Sequence, residues 1–272
     1  MTTCGAAPAG RYPSASGMAP ASGASCTYLF DGSFDGFLTS VFEAYRSGLF
    51  PERIYASDDY QLDLARAPVD IATDAGKSAR VQAGIARRLG GDAFDNVWTA
   101  FLSDDRERHT KIFRFLALGF EAGRKACSQL AEPAVMDVYE LARRVSRETN
   151  RMVGFLRFSA MEGGVQYAAI APACNQLPCL APHFADRMPD TPFVIHDTRR
   201  RIAAIYDTKG ICYAETGPAS PPMAFSEDES AFRALWRGFY EAIAIKERRN
   251  PKLQRSLMPK RYWKDMAEHT GP

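Results

Sequence analysis

The stretch PFVIHDTRRRIAAIYD, residues 192–207, followed by GICYAE, residues 210–215, decides the fold class of this chain. Its apolar runs are short, contain β-branched and aromatic residues, and are separated by polar turn residues, which is typical of successive β-strands. The stretch therefore predicts three strands of one sheet. We expect this sheet to be central and antiparallel.

The polar residues between the first two of these strands form a candidate site. His196, Asp197, Arg199, Arg200 and Arg201 are predicted to lie in or beside an exposed turn. His196 and Asp197 are candidates for a general acid–base pair, although neighbouring strand residues point to opposite faces, which disfavours direct pairing. The alternative is a structural histidine near a turn.

Two further strands are predicted upstream, over residues 155–159 and 165–170, because they flank the turn-rich sequence AMEGG and so indicate a hairpin. A short helix over Leu177–Met188 follows. In it His183 and Arg187 lie one helical turn apart, so both can face a phosphate or a carboxylate. His183 is therefore the third catalytic candidate, again with a structural histidine as the alternative.

The long segment before this hairpin predicts an amphipathic helix that begins with Pro133. Its apolar face consists of Val138, Leu141, Ala142, Val145, Thr149 and Met152. Its opposite face carries Arg143, Arg147, Asn150 and Arg151. This polar face either contacts a phosphate backbone or is a solvated surface on which Glu140 and Glu148 act as i,i+4 ion-pair partners.

The N-terminal half is predicted to be mainly helical. Short strands are expected over residues 28–30 and 69–72, and the predicted helices cover 37–45, the segment from a cap at Thr73 or Asp74 to Leu89, 93–102 and 107–123. Residues 1–25 are rich in Ala, Gly, Ser and Pro and are predicted to form a disordered linker. Residues 26–272 are then expected to form a single α+β domain, with a sub-boundary near residue 130 as the alternative.

The last predicted helix begins at a capping box formed by Ser226 and Glu229. Its apolar stripe consists of Phe232, Leu235, Trp236, Phe239 and Ile243. The stripe predicts that Trp236 packs in the core. A basic tail follows: residues 246–264 hold eight Lys or Arg and one acid, in a chain whose formal net charge is +2.

The basic tail suits a polyanion, because Lys and Arg displace counterions from phosphates and aromatic rings stack on single-stranded bases. The tail residues that are candidates for nucleic-acid binding are Asn250, Lys252, Arg255, Lys260, Arg261, Tyr262 and Trp263. Arg143, Arg147, Asn150, Arg151, Arg199 and Arg200 complete this candidate set. The alternative is that Tyr262 and Trp263 dock the tail onto the core.

Composition and motifs exclude several classes of protein. No apolar run approaches the roughly 20 residues that a membrane span needs, so no membrane association is expected. With 24% charged residues the chain is typical of a soluble cytoplasmic protein. The six cysteines are scattered and lack a CxxC spacing, so free thiols are expected and no metal site. No Gly-rich phosphate loop, deaminase signature or iron–sulfur motif is found, and no cofactor is expected.

Four stretches carry a resemblance to a known family. They are YLFDGSFDGFLTSVFEAYR at 28–46, RETNRMVGFLRF at 147–158, LAPHFADRMPDTPFVIHDTRRRIAAIYD at 180–207 and NPKLQRSLMPKRYW at 250–263. In this order, from about residue 28 to residue 269, the chain resembles a bacterial family of unknown function whose members are described as probable DNA-metabolism proteins. The resemblance implies a role in DNA repair or DNA metabolism.

The same resemblance implies partners. Members of the family are encoded beside a DNA-modification or repair protein of the radical-SAM type, and the domain also occurs fused to a uracil-DNA glycosylase-like domain. DNA, single- or double-stranded, and either of these proteins are therefore the expected partners.

Two positions depart from the family pattern. The family commonly has a histidine where this chain has Asn150, and an Asp-His pair where it has Ala173 and Cys174, just before the asparagine that matches Asn175. A mechanism that uses those histidines as general bases or metal ligands is therefore not expected here.

The sequence as a whole predicts an α+β protein with a mainly helical N-terminal part packed on a central antiparallel sheet, then a C-terminal helix and the basic tail. Its expected function is that of a DNA-associated repair or metabolism factor. One alternative is an adaptor whose basic tail docks an acidic protein partner. Another is an uncharacterised nucleotide-processing enzyme, whose pocket would be lined by His183, His196, Arg199 and Asn175. The sequence leaves open whether the protein is an enzyme.

Overall fold

The computed structural model describes residues 26–61, 67–217, 226–243, 245, 248 and 250–266. The predicted linker over residues 1–25 lies outside the described residues. The chain divides into two compact units, Met1–Arg143 and Arg144–Pro272. The boundary falls within one continuous helix, Pro133–Phe155.

The first unit contains a three-stranded parallel sheet with the strand order β2-β1-β3. Its strands are β1 (Thr27–Phe30), β2 (Arg53–Ala56) and β3 (Val69–Asp70). The sequence predicted β1 and β3 but not β2, because β2 has only four residues and two of them, Arg53 and Tyr55, are polar. Parallel neighbours need a crossover connection, which a helix supplies between β1 and β2.

The helices of the first unit agree with the prediction of a mainly helical N-terminal part. They are α1 (Phe34–Ser47), α2 (Ala75–Arg88), α3 (Gly91–Phe101), α4 (Arg108–Ala122) and the first part of α5 (Pro133–Phe155). The side chain of Ser33 caps α1 by accepting a hydrogen bond from the backbone of Gly36, and Asp74 caps α2 by accepting one from Lys77. The buried faces of these helices and the sheet enclose one hydrophobic core.

A buried histidine, His109, lies in this core. The centroid of its ring is 4.8 Å from that of Phe30, 5.7 Å from that of Phe37 and 5.3 Å from that of Phe101. Neither ring nitrogen has a hydrogen-bond partner among the described residues. Burial, and to a smaller extent the charge of Arg108, holds the pKa of His109 well below 6.5, so the ring is neutral.

The second unit contains a five-stranded mixed sheet with the strand order β4-β5-β6-β7-β8. The strands are β4 (Ser159–Ala160), β5 (Gln166–Ile170), β6 (Phe193–Asp197), β7 (Ile202–Tyr206) and β8 (Ile211–Glu215). The predicted α+β class is confirmed, but the prediction of an antiparallel sheet is only partly right, because β5 and β6 are parallel. The helix α6 (Leu177–Arg187) connects these two strands. It returns the chain to the end of the sheet where β5 begins, so β6 runs in the same direction as β5.

One predicted boundary and one predicted exposure in this unit are wrong. Helix α5 continues through Phe155, so most of the strand predicted over residues 155–159 is helix and loop. Strand β6 extends to Asp197, so His196 and Asp197 lie beside the turn rather than in it, and they are buried, at 6% and 0% exposed. The exposed turn begins one residue later, because β6 pairs with a neighbouring strand on each side as far as Asp197.

The C-terminal part of the second unit consists of α7 (Glu227–Ile243), α8 (Pro251–Leu257) and a 3-10 helix, Lys260–Asp265. Tyr262 belongs to the second hydrophobic core, together with residues of α5, α6 and the sheet. Trp236, which the sequence placed in the core, is 37% exposed. The other members of the apolar stripe of α7, Phe232, Leu235, Phe239 and Ile243, are each more than half exposed.

Three further observations concern the described residues alone. None of their helices is long and apolar enough to cross a lipid bilayer. Their five cysteines, Cys26, Cys127, Cys174, Cys179 and Cys212, are free thiols. Their histidine, cysteine and acidic side chains form no group of three or more that could hold a metal ion.

Candidate functional site

The candidate site lies at the carboxyl ends of the parallel strands β5 and β6. Because parallel strands end at the same edge of a sheet, the loop after β5 and the turn after β6 meet there. The backbone N–H and the hydroxyl of Thr198 both donate to the carbonyl oxygen of Ile170, at 3.0 and 3.1 Å. Ligands of α/β proteins commonly bind at such an edge, which favours it as a ligand site.

Asp197 fixes the conformation of the turn after β6. Its buried carboxylate accepts hydrogen bonds from the backbone N–H groups of Arg199 and Arg200, at 3.0 and 3.1 Å. The guanidinium of Arg200 also donates to it, at 2.9 Å. All these partners are in the turn itself, so Asp197 positions two arginines and is not a free general base.

The two arginines of this turn reach across to the loop after β5. Arg200 donates from Nη2 to the carbonyl oxygen of Ala173 and from Nη1 to that of Pro172, the latter at 3.4 Å. Arg199 approaches the same carbonyl oxygen of Pro172 at 3.5 Å and is exposed. The turn and the loop therefore form one connected surface with guanidinium groups on it.

Glu148 of α5 binds the backbone N–H groups of the same loop, whereas the arginines bind its carbonyl oxygens. Its buried carboxylate accepts hydrogen bonds from the N–H groups of Ala173 and Cys174, at 2.9 and 2.7 Å. It also accepts from the hydroxyl of Tyr262 at 2.5 Å and from the guanidinium of Arg261 at 3.1 Å. Four donors from two distant segments thus meet at one carboxylate.

The protonation states of this cluster follow from its contacts. Burial raises the pKa of Glu148, but the hydrogen bonds from Tyr262, Ala173 and Cys174 and the charge of Arg261 outweigh it and lower the pKa below 4.5. Burial and the hydrogen bond to Glu148 raise the pKa of Tyr262 to about 12. The carboxylate is therefore charged and the phenol is protonated at neutral pH. With all its donors in place, Glu148 serves to hold the loop and the tail together.

Asn175 and Gln176 complete the loop after β5. The side chain of Gln176 is buried and accepts a 2.7 Å hydrogen bond from the hydroxyl of Thr149. The side-chain oxygen of Asn175 is buried and has no hydrogen-bond partner among the described residues. An unpaired buried acceptor at this edge can receive a donor from a ligand, because leaving it unpaired costs free energy.

The two histidine candidates, His196 and His183, have contacts of their own. His196 is fixed between the hydroxyl of Tyr167, 2.8 Å from Nδ1, and that of Thr216, 2.9 Å from Nε2. Burial lowers its pKa, and the charge of Asp197 opposes this effect. His183 is exposed on α6, and its ring packs edge-on against that of Phe184. Arg199 and Asn175 are thus on the edge, whereas His196 makes structural contacts.

The tail residues divide into exposed cations and docking groups. Lys252, Arg255 and Lys260 are exposed, and the side chain of Asn250 caps α8 by accepting from the N–H of Leu253. Tyr262 is only 3% exposed, so it docks the tail and has no ring face free for a base. Trp263 is half-buried and donates from its indole N–H to the carbonyl oxygen of Met258.

The predicted polar face of α5 is confirmed as a surface feature. Arg143, Arg147 and Asn150 are exposed, and Arg151 is half-buried. Of these, Arg147, Asn150 and Arg151 belong to the second unit, whereas Arg143 is the last residue of the first.

Glu148 is the site residue that the sequence interpretation missed, because it was assigned to the solvated face of α5. A signal was present: Glu148 lies three residues after Val145 and four before Met152, and this spacing places it on the buried stripe. A charged residue on an apolar stripe needs partners, and here they come from the loop and the tail.

Comparisons with known proteins gave limited matches. A search of curated proteins found none that matches this chain. Among solved structures, the chain is similar to a pGpG-specific phosphodiesterase, PggH from Vibrio cholerae, with 9% identity and a TM-score of 0.31, over 80% of this chain and 99% of that one. The family model described as domain of unknown function DUF4130 matches residues 106–268, more than half of the chain. The chain therefore belongs to the DUF4130 family.

Proposed function

We propose that this protein acts in DNA repair or DNA metabolism by binding the phosphodiester backbone of DNA at the carboxyl edge of β5 and β6. We call the three arginines at this edge, Arg199, Arg200 and Arg261, the basic edge. The observation that carries the proposal is that Arg199 and Arg200 contact carbonyl oxygens of the loop of residues 172–174, while Arg261, far away in sequence, contacts Glu148, whose carboxylate accepts hydrogen bonds from the backbone of the same loop. Their contacts with the loop and with Glu148 bring three guanidinium groups to one place.

The electrostatics of the basic edge support an anionic ligand. Asp197 and Glu148 neutralise two of the three positive charges, and both carboxylates are buried. The guanidinium of Arg261 is half exposed and the side chain of Arg199 is exposed, so an anion can approach both from solvent. Exposed Lys252, Arg255 and Lys260 in the adjoining tail add charge without a buried acid. Guanidinium groups bind phosphate in a bidentate manner, which suits a nucleic-acid backbone.

The proposal assigns binding and leaves the reaction to a partner. At the basic edge the carboxylates of Asp197 and Glu148 accept hydrogen bonds that fix the turn and the loop. Both ring nitrogens of His196 are hydrogen-bonded, to Tyr167 and Thr216. In this proposal the chain presents DNA to a repair or modification enzyme in the cytoplasm. The family resemblance of the sequence points to a radical-SAM protein or a uracil-DNA glycosylase as that enzyme.

A second candidate function is that of a protein-binding adaptor. The observation that favours it is the solvent-exposed apolar stripe of α7, on which Phe232 and Leu235 are 70% and 71% exposed. Such a stripe is typical of a surface that contacts another protein. The two functions are compatible because the stripe and the basic edge consist of different residues.

The test of DNA binding is the salt dependence of affinity, measured by fluorescence anisotropy with single- and double-stranded oligonucleotides, with and without uracil. Each phosphate contact contributes about 0.7 to 0.9 to the slope of log affinity against log salt. We expect the triple variant Arg199→Ala, Arg255→Ala, Lys260→Ala to flatten this slope by roughly two to three if all three residues contact phosphates. These three are chosen because their side chains are exposed, so their loss should leave the fold intact.

The matched control removes three exposed arginines of the first unit, Arg87, Arg106 and Arg114, and so changes the net charge equally. We expect this control to keep the wild-type slope. Absence of binding to either strand form at low salt would contradict the proposal that this chain binds DNA. Equal slopes for the two triple variants would rule out phosphate contacts by Arg199, Arg255 and Lys260.

A further inference from the structure

The helix α7 is attached to the second unit through its polar residues. The backbone N–H of Ser226 donates to the carbonyl oxygen of Ala160, and the carboxylate of Glu229 accepts from the N–H of Ala160, each at 3.0 Å. Arg233 donates to Glu229 and to the hydroxyl of Ser159, both at 2.7 Å. These contacts fix the first two turns of α7 against the short edge strand β4.

This attachment leaves the apolar stripe of α7 facing solvent. Phe232, Leu235, Phe239 and Ile243 are 54% to 71% exposed. They repeat at intervals of three and four residues, so they occupy one side of the helix over about 16 Å. An amphipathic helix normally buries such a stripe. Trp236, beside this stripe, has the guanidinium of Arg157 at 5.8 Å from the centroid of its ring.

Further large apolar side chains that follow α7 in the chain are also exposed. Ile245 is exposed, and Leu253 and Leu257 lie one turn apart on α8 and are also exposed. The largest apolar patch of a monomeric protein is commonly about 300–600 Å², whereas each partner in a standard protein interface buries about 800 Å². From Phe232 to Ile245 five large apolar side chains are more than half exposed, at on the order of 100 Å² each, so they form a patch within the range of the largest patch of a monomer, which is often functional.

The charges at the two ends of the stripe indicate what covers it. Residues 227–229 are all acidic, whereas residues 246–249 contain three cations and one acid. Asp228 lies in the first turn of α7, Arg248 follows five residues after the last residue of the helix, and both are exposed. Two copies of the segment in antiparallel orientation would therefore place apolar stripe on apolar stripe and the acidic end of each on the basic end of the other. A parallel pair would place like charges together, which is unfavourable.

We propose that the apolar stripe of α7 is the interface of a two-fold symmetric homodimer, in which α7 packs antiparallel against α7 of a second copy. The two-fold axis passes near residue 238, so each stripe is its own complement, as an isologous interface requires. Asp228 of each copy faces Arg248 of the other. The inference does not rest on DNA binding, because the residues of the basic edge take no part in it.

The first experiment measures the mass of the full chain by sedimentation and by light scattering over a range of concentrations. We expect twice the mass of one chain at high concentration. Leu235→Glu and Phe239→Glu should each raise the dimer Kd by at least about tenfold, because each places a charge in the centre of the apolar interface. The control Leu130→Glu changes an exposed leucine of the first unit and should leave the Kd unchanged.

The second experiment tests the orientation by charge exchange. Asp228→Arg and Arg248→Asp should each weaken the dimer, and the double variant should restore it, because the pair is then reversed. A chain that stays monomeric at every concentration, or stripe variants that dimerise as the wild type does, would overturn the proposal. A double variant as weak as the single ones would overturn the antiparallel arrangement.

Discussion

The hydroxyl of Tyr262 donates a 2.5 Å hydrogen bond to the carboxylate of Glu148, which lies 114 residues earlier in the chain. The same carboxylate accepts from the backbone of Ala173 and Cys174. One buried acid thus ties the C-terminal tail, the helix α5 and the loop after β5 together, and so determines where Arg261 stands.

Loss of this hydrogen bond should destabilise the second unit. We expect Tyr262→Phe to lower the free energy of unfolding by about 1.5–3 kcal/mol, the usual contribution of a hydrogen bond to a charged group. Glu148→Gln should lower it further, because the new amide nitrogen would face N–H donors. Urea titration measures both. The control Glu140→Gln makes the same change at an exposed position of α5 and should have little effect; equal effects of the two glutamine variants would contradict the role of Glu148.

The stability of the protein should depend on pH through the ionisation of Glu148 and Tyr262. Because the folded pKa of Glu148 is lower than its ordinary value of 4.5, its stabilisation is complete above that pH and is lost as the pH falls through the folded pKa. The pKa of Tyr262 is raised from 10 to about 12, so its contribution is complete below pH 10 and is lost as the pH rises towards 12. We expect the stability difference between wild type and Glu148→Gln, measured by urea titration, to shrink below pH 4.5. A difference that stays constant into acid would contradict this assignment.

His196 should prove to be a structural residue. It is 6% exposed and hydrogen-bonded through both ring nitrogens, so we expect His196→Ala to lower the free energy of unfolding by about 1–3 kcal/mol. The comparison is His183→Ala, at an exposed position, which should change stability by less than about 0.5 kcal/mol. Thermal unfolding followed by circular dichroism measures both. If His196→Ala kept full stability but lost DNA binding, the ligand-facing interpretation of His196 would be restored.

His109 should destabilise the first unit in acid. Because its folded pKa lies well below 6.5, the unfolded chain binds a proton that the folded chain does not, and stability is lost as the pH falls below 6.5. His109→Phe keeps an aromatic ring among Phe30, Phe37 and Phe101, and we expect a change of less than about 1.5 kcal/mol at pH 8. Urea titrations at pH 8 and pH 5.5 should show the variant gaining stability relative to wild type in acid. No relative gain would mean that the ring is protonated in the folded state.

The sequence determined much of the local structure. The short apolar runs within residues 192–215 predicted β6, β7 and β8, and the stripe of residues 138–152 predicted the buried face of α5. Capping residues such as Asp74 marked where helices begin. These features depend on contacts between residues that are close in the chain, so a local pattern is sufficient to predict them.

The tertiary structure alone decided the neighbours of each element. The parallel pairing of β5 and β6 depends on the path of α6, which no pattern within either strand specifies. Glu148 is buried because donors from residues 173–174 and 261–262 reach it, and the stripe of α7 is exposed because Glu229 and Arg233 hold that helix by its polar residues. Amphipathicity shows which side of a helix is apolar, but only long-range contacts decide whether that side meets the rest of the chain or solvent.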